Sequence, residues 1–171
     1  RIIILRTTIE DITYVLCNIY APNHEVEHQN FLKKLHKMLV EFITVEDDKF
    51  IVAGDFNFVC DLDMDRSGGN PHIWTESVKI WTNILEILDL VDIWRIKNPS
   101  ERTYTWHRRK PSLIQSWLDR FNISDQLQPY VEFTNIVPGL SSDHSAISLH
   151  LGKSKFKSSD AGYWKLNNKL L

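Results

Sequence analysis

The chain opens on two apolar, β-rich runs, residues 1–7 and 12–20, and Thr8–Asp11 between them predicts a hairpin. Ala21-Pro22-Asn23 stops the second run, because proline removes a ladder donor. A helix is predicted over about 25–43, where Phe31, Leu32, Leu35, Met38, Leu39 and Phe42 recur at the spacing of one buried face. Phe50-Ile51-Val52-Ala53 reads as a short strand ending in Gly54-Asp55-Phe56-Asn57. Residues 61–71 read as a loop rich in Asp, Gly and Ser. A second amphipathic helix is predicted over about 74–88, with Trp74, Val78, Trp81, Leu85 and Leu88 on one side. The remainder is β-like, at 103–106, 116–123, 131–137 and 146–151. The order β-β-α-β-α-β-β-β-β predicts an α/β fold of packed mixed sheets with helices outside.

Composition adds limits. The 171 residues carry 20 Lys+Arg against 22 Asp+Glu, a net charge of −2, which excludes nucleic-acid binding by bulk positive charge. Any such partner must meet a local patch, and Arg108-Arg109-Lys110 and Lys153/Lys155/Lys157 are the candidates. No apolar run approaches the roughly 20 residues that span a bilayer, so no membrane partner is expected. Cys17 and Cys60 are the only cysteines; free buried thiols are expected, which favours an intracellular compartment. Beyond Gly152 the chain turns basic and polar, so residues 1–152 are read as the domain and 153–171 as a linker or tail. Arg1 already lies in a strand-like run, and the front of the domain is expected to lie outside this sequence.

Polar residues collect at strand ends, where α/β folds place their sites: Asn18/Tyr20/Asn23, Asp55/Asn57, Asp119 and Ser142-Asp143-His144. A serine-hydrolase relay fails, because three consecutive residues cannot point at one another and no Gly-x-Ser-x-Gly elbow exists. Structural zinc fails for want of ligand spacing. Carboxylate, amide and imidazole at separate strand ends suit Mg²⁺-assisted chemistry on a phosphoryl group.

Asn18-Ile-Tyr20-Ala-Pro22-Asn23, Gly54-Asp55-Phe56-Asn57, Leu118-Asp119-Arg120 and Ser142-Asp143-His144-Ser145 resemble, in order and spacing, the endonuclease/exonuclease/phosphatase superfamily. Asp65-Arg66-Ser67, Tyr104-Thr105-Trp106 and Trp164-Lys165-Leu166-Asn167-Asn168 resemble its branch in LINE-type retrotransposons. The resemblance implies a DNase I-like, four-layered α/β sandwich that cleaves DNA phosphodiesters with Mg²⁺, or with Mn²⁺ in its place. It implies double-stranded DNA as partner, fusion to a reverse transcriptase in the parent protein, and a nuclear location. Asp55 would orient or activate the attacking water, with Asn57 beside it. His144 would bond a non-bridging phosphate oxygen, Asp119 would orient His144, and Tyr20 would meet the phosphate or leaving oxygen. Asp143 would lie near the metal through water. Asn23, Thr105 and Ser142 would be secondary phosphate or backbone contacts, and Arg66 would belong to a loop touching DNA; apart from the resemblance, the charge of Arg108 and Arg109 makes them candidates for DNA contact.

Members of this superfamily begin with a strand carrying an Asn, then a Gln-Glu pair whose Glu ligates Mg²⁺; neither occurs in these 171 residues. Little activity is therefore expected of the chain alone, together with a bare sheet edge and an exposed apolar face. Two other readings stay open: a DNA-repair nuclease of the exonuclease III or apurinic/apyrimidinic endonuclease kind, and an inactive nucleic-acid-binding remnant.

Overall fold

The computed structural model describes residues 1–43, 48–70, 72–139 and 141–152. The 153–171 tail, with Lys153, Lys155 and Lys157 and the Trp164–Asn168 motif, lies outside them.

Strands β1 (Ile2–Ile9) and β2 (Ile12–Tyr20) form the predicted hairpin, with Glu10 and Asp11 in left-handed backbone at its turn. Helix α1 (Glu25–Glu41) buries His28, Leu32, Leu35 and Leu39. Strand β3 (Lys49–Asp55) then pairs parallel to β2. Part of the segment read as a loop is ordered: Asp61 caps a one-turn helix α2 (Leu62–Asp65), and strand β4 (Arg66–Ser67) follows. The Asp65 carboxylate anchors it, accepting from Arg95 at 2.7 Å and from the Cys60 and Asp61 amides at 3.1 Å each.

Helix α3 (Thr75–Ile87) packs beside α1. Two short elements went unforeseen, β5 (Leu90–Asp92) and α4 (Ile93–Lys97), the latter capped by Asp92. The strand expected at 103–106 runs instead as β6 (Trp106–Arg108), and that expected at 116–123 divides into β7 (Ile114–Ser116) and β8 (Asp119–Ser124). Trp117 and Leu118 make the break. A 3₁₀ turn (Asp125–Tyr130) leads into β9 (Val131–Val137) and β10 (Ala146–Leu151), both as predicted.

The main sheet has the order β1-β2-β3-β8-β5; β9 pairs with β10, and β4-β7-β6 form a third small sheet. Because side chains alternate across a strand, the main sheet has two distinct faces. Val15, Cys17, Ile19, Phe50 and Val52 face α1 and α3, closing a core around Leu32, Leu35, Leu39, Trp81 and Ile84. Tyr14, Ile51, Phe121 and Ile123 face β9 and β10, in a second core with Val131 and Leu149. A mixed sheet between a helix layer and a second sheet is the expected α/β sandwich. At the β1 edge Ile3, Leu5 and Ile9 are exposed. Cys17 is buried and burial pushes its thiol up to about 12; Cys60 is only half-buried, so the expectation of two buried thiols holds for one. Among the described residues no helix is long and apolar enough to cross a membrane.

Candidate active site

Register explains why distant residues meet. Tyr20 ends β2, Asp55 ends β3 and Asp119 begins antiparallel β8; Tyr20 pairs with Asp55, and Asp55 with Asp119. Paired residues share a face, so all three side chains line one end of the main sheet on the side of the second sheet. His144 arrives from that second sheet, two residues before β10, held by an isolated bridge to Trp106.

Close pairing at this end requires Gly54. Its φ is +126°, and a Cβ there would stand 2.0 Å from the Ile19 carbonyl oxygen. No side chain fits that gap. Beyond Asp55 the chain turns sharply, with Asn57 at φ +53°, a conformation asparagine tolerates better than most residues. Its backbone N–H donates to Asp55 Oδ1 at 2.9 Å and its amide to the Ala21 carbonyl at 2.8 Å.

His144 Nδ1 lies 2.9 Å from Asp119 Oδ2, and its Nε2 lies 4.0 Å from Asp55 Oδ2. Ligand-capable atoms of Asp55, Asp119 and His144 all fall within 4.8 Å of one another, so this group could hold a divalent metal ion. Burial, and then the charge of Asp119, raise Asp55 to about 6; the Asn57 amide, His144 and Arg120 oppose the shift. Two crowded, partly desolvated carboxylates favour a cation between them. Mg²⁺ takes one or two carboxylates together with water and phosphate oxygens, so the two carboxylates of this group, without the imidazole, would fit it.

Folded Asp55 binds its proton more readily than unfolded Asp55. Its burial therefore costs stability fully above about pH 6, and that cost disappears as pH falls toward its ordinary value of 3.8. Metal-free Asp55→Asn protein is expected to melt higher than wild type at pH 8, with the gain vanishing between pH 6 and 4. Added Mg²⁺ should raise the melting temperature of wild type only. Thermal melts with EDTA and with Mg²⁺ check both.

The other expected residues divide. Tyr20 is 55% exposed beside the group, with the Arg1 guanidinium 5.8 Å from its ring centre. Asn23 is exposed, and Ser142 Oγ accepts the His144 backbone N–H at 3.0 Å, shaping the loop that presents the imidazole. Asp143 is exposed and stands outside the metal-capable group; the Trp106 indole donates to its Oδ2 at 2.8 Å and holds its carboxyl below the ordinary range. Arg66 reaches Ser116 Oγ at 3.1 Å, and its Nε is buried without a partner. Arg108 and Arg109 are exposed at the end of β6.

Thr105 is not a phosphate contact. Its side chain is fully buried, and Oγ1 accepts the backbone N–H of both Leu118 and Asp119, at 3.0 and 2.9 Å. Its carbonyl accepts the Ser145 N–H at 2.6 Å. It thereby ties the segment carrying His144 to the strand carrying Asp119.

Sequence reasoning missed this role, and it missed His28, fully buried behind the Asp55–Asn57 turn. The signal for His28 was available: it lies four and seven residues before Leu32 and Leu35, on the apolar face of α1.

No protein-family profile matches the chain. Over 173 residues the chain is 31% identical to an uncharacterized 149 kDa protein of transposon TX1 from Xenopus laevis, a match covering all of this chain and 13% of that protein. Among solved structures it is similar to a 3'-5' exonuclease from Neisseria meningitidis, with a TM-score of 0.71 and 16% identity over 88% of this chain and 65% of the other. It is also similar to an AP endonuclease from Archaeoglobus fulgidus, with a TM-score of 0.67 and 17% identity over 86% and 64%. The chain thus spans a small part of the transposon protein and somewhat under two thirds of each of these nuclease chains.

Proposed function

We propose that this chain, a domain of the endonuclease/exonuclease/phosphatase type with a DNase I-like fold, carries a Mg²⁺-dependent site that cleaves a phosphodiester of double-stranded DNA. The parent protein would use it to nick target sites for transposition, with a reverse transcriptase in the same chain; the 31% identity to a transposon protein favours that setting. The observation that carries the reading is the Asp55–Asp119–His144 group, whose ligand-capable atoms lie within 4.8 Å at one end of the main sheet.

The chemistry follows from the donors. In-line displacement at phosphorus needs an aligned water, relief of charge on the non-bridging oxygens and a stabilised leaving oxygen. Asp55 Oδ1 is occupied by the Asn57 N–H, so Oδ2 is left to meet the metal and, beside it, to orient the attacking water. His144 donates Nδ1–H to the Asp119 carboxylate, so Nε2 faces the site and, in the imidazolium form, donates to a non-bridging oxygen. Tyr20, half exposed at this end of the sheet, would meet the leaving oxygen or the phosphate. Asp55 and Asp119 would hold Mg²⁺, which when bound neutralises phosphate charge. Asp143 would reach it only through water.

Slow nicking of supercoiled plasmid in Mg²⁺, absent in EDTA, is the expected result; nicking that persists in EDTA overturns the proposal. Intact DNA should serve as well as DNA with abasic sites. A strong abasic preference would instead assign a repair nuclease.

DNA contact is proposed for Arg66 and for Arg108-Arg109-Lys110. Replacing the latter three by Ser should flatten the salt dependence of DNA binding by about 2–3 in log–log slope, given roughly 0.9 per phosphate neutralised. An unchanged slope places the run away from the duplex.

A further inference from the structure

We infer that His28 is a positioning residue of this site: from the helix layer it clamps the peptide group between Phe56 and Asn57 and so fixes the Asp55 carboxylate. The inference rests on the nuclease reading and adds a residue that makes no contact with Asp55 or His144.

The ring is fully buried on α1, among the rings of Phe31, Phe58 and Trp74, with centroids 6.5, 4.7 and 5.2 Å away. Nε2 lies 2.8 Å from the Phe56 carbonyl oxygen, and Nδ1 lies 3.0 Å from Oγ of buried Ser77 on α3. A carbonyl only accepts, so Nε2 carries the proton. The neutral ring then leaves Nδ1 as an acceptor, and the Ser77 hydroxyl donates to it. Burial, aided by the charge of Arg120, lowers His28 to about 4 against the opposing pull of the Phe56 carbonyl. The ring is therefore neutral at neutral pH, as this bonding requires.

The bonded carbonyl is what makes the residue matter to the site. A peptide group is planar, so fixing the Phe56 oxygen fixes the direction of the Asn57 N–H on its opposite side. That N–H donates to Asp55 Oδ1. His28 and Asp55 thus grip opposite ends of one peptide group. The Phe56 N–H, bonded to the Leu118 carbonyl at 2.9 Å, steadies the preceding peptide, and the Phe56 ring lies 4.8 Å from Trp81. Without the His28 bond the 56–57 peptide is free to rotate, and Asp55 loses the donor that sets its rotamer. An apolar side chain of similar size could fill the volume but could not hold the carbonyl.

The test compares wild type, His28→Leu and His28→Gln, whose amide can reach the same carbonyl, with Ser77→Ala as a milder variant. Nitrogen-15 spectra of wild type should show the Nε2–H tautomer, and an Nδ1–H tautomer overturns the inference. In folded His28→Leu the nicking rate at saturating DNA should fall about 10- to 100-fold, the scale of a catalytic group misplaced by an ångström, with KM unchanged. The Asn57 amide should exchange faster with solvent, and His28→Gln should restore both within about threefold, a glutamine amide replacing the lost donor. An unchanged rate with an unchanged Asn57 amide overturns it, as does a loss that Gln fails to relieve. If His28→Leu does not fold, Ser77→Ala and His28→Gln decide by the same readouts. Wild-type nicking is measured first: its absence counts against the nuclease reading, and the Asn57 amide then decides the clamp alone.

Discussion

Replacing His144 by alanine is expected to slow DNA nicking about 10²- to 10⁴-fold at saturating DNA, the range lost with a positioned proton-transfer group. The geometry leaves the ring a single task. Nδ1 is committed to Asp119 at 2.9 Å, so only Nε2 can serve the phosphate, and it already faces the Asp55 end of the site at 4.0 Å. Asp119→Asn keeps an oxygen acceptor for the ring but removes its charge, so a smaller loss is expected. Because Asp119 acts largely through His144, the double variant should lose less than the two single losses combined. Full multiplicativity would show that Asp119 acts wholly apart from His144. Rates at saturating DNA, with binding measured separately, distinguish the outcomes.

Thr105→Val should give the largest stability loss among the isosteric changes near the site. Valine matches threonine in shape but strips the acceptor from the Leu118 and Asp119 N–H groups, which Thr105 Oγ1 alone now serves at 3.0 and 2.9 Å. Unpaired donors of this kind cost about 1–3 kcal/mol. For a domain of this size a loss of about 2 kcal/mol lowers the melting temperature by roughly 4–8 °C. Nicking should fall as well, because the start of β8 carries Asp119. Thr105→Ser, which keeps the oxygen, should stay near wild type in both respects. A valine variant that melts with wild type would mean that water replaces the hydroxyl at no cost.

Long elements announced themselves through period. The nine residues of β2 and the apolar faces of α1 and α3 repeat often enough to be read directly, and Pro22 and Gly54 mark where strands must end. Short elements did not. A strand of three residues, such as β5 or β6, has too few positions for alternation to register, and its existence depends on a partner such as β8. The split of 116–123 came from the tertiary position of Trp117, buried with its indole on Asp92 at 3.2 Å. Of the site, the residue types and their strand-end positions were legible in the sequence; the shared row of Tyr20, Asp55 and Asp119 required the register. Thr105 was misread because a threonine beside a functional strand can bond either ligand or backbone, and only burial separates the two. His28 was passed over because a lone histidine on an apolar helix face gives no hint of which carbonyl it meets.

Asp55, together with Asp119 and His144, is proposed to form a metal-dependent phosphodiesterase site. The most direct measurement is nicking of supercoiled plasmid by wild type and Asp55→Ala, each in Mg²⁺ and in EDTA, with both proteins shown to be folded and to bind DNA equally. Slow nicking by wild type in Mg²⁺ alone is expected, and none by Asp55→Ala in either condition. Nicking by Asp55→Ala at the wild-type rate, or wild-type nicking that persists in EDTA, would contradict this proposal.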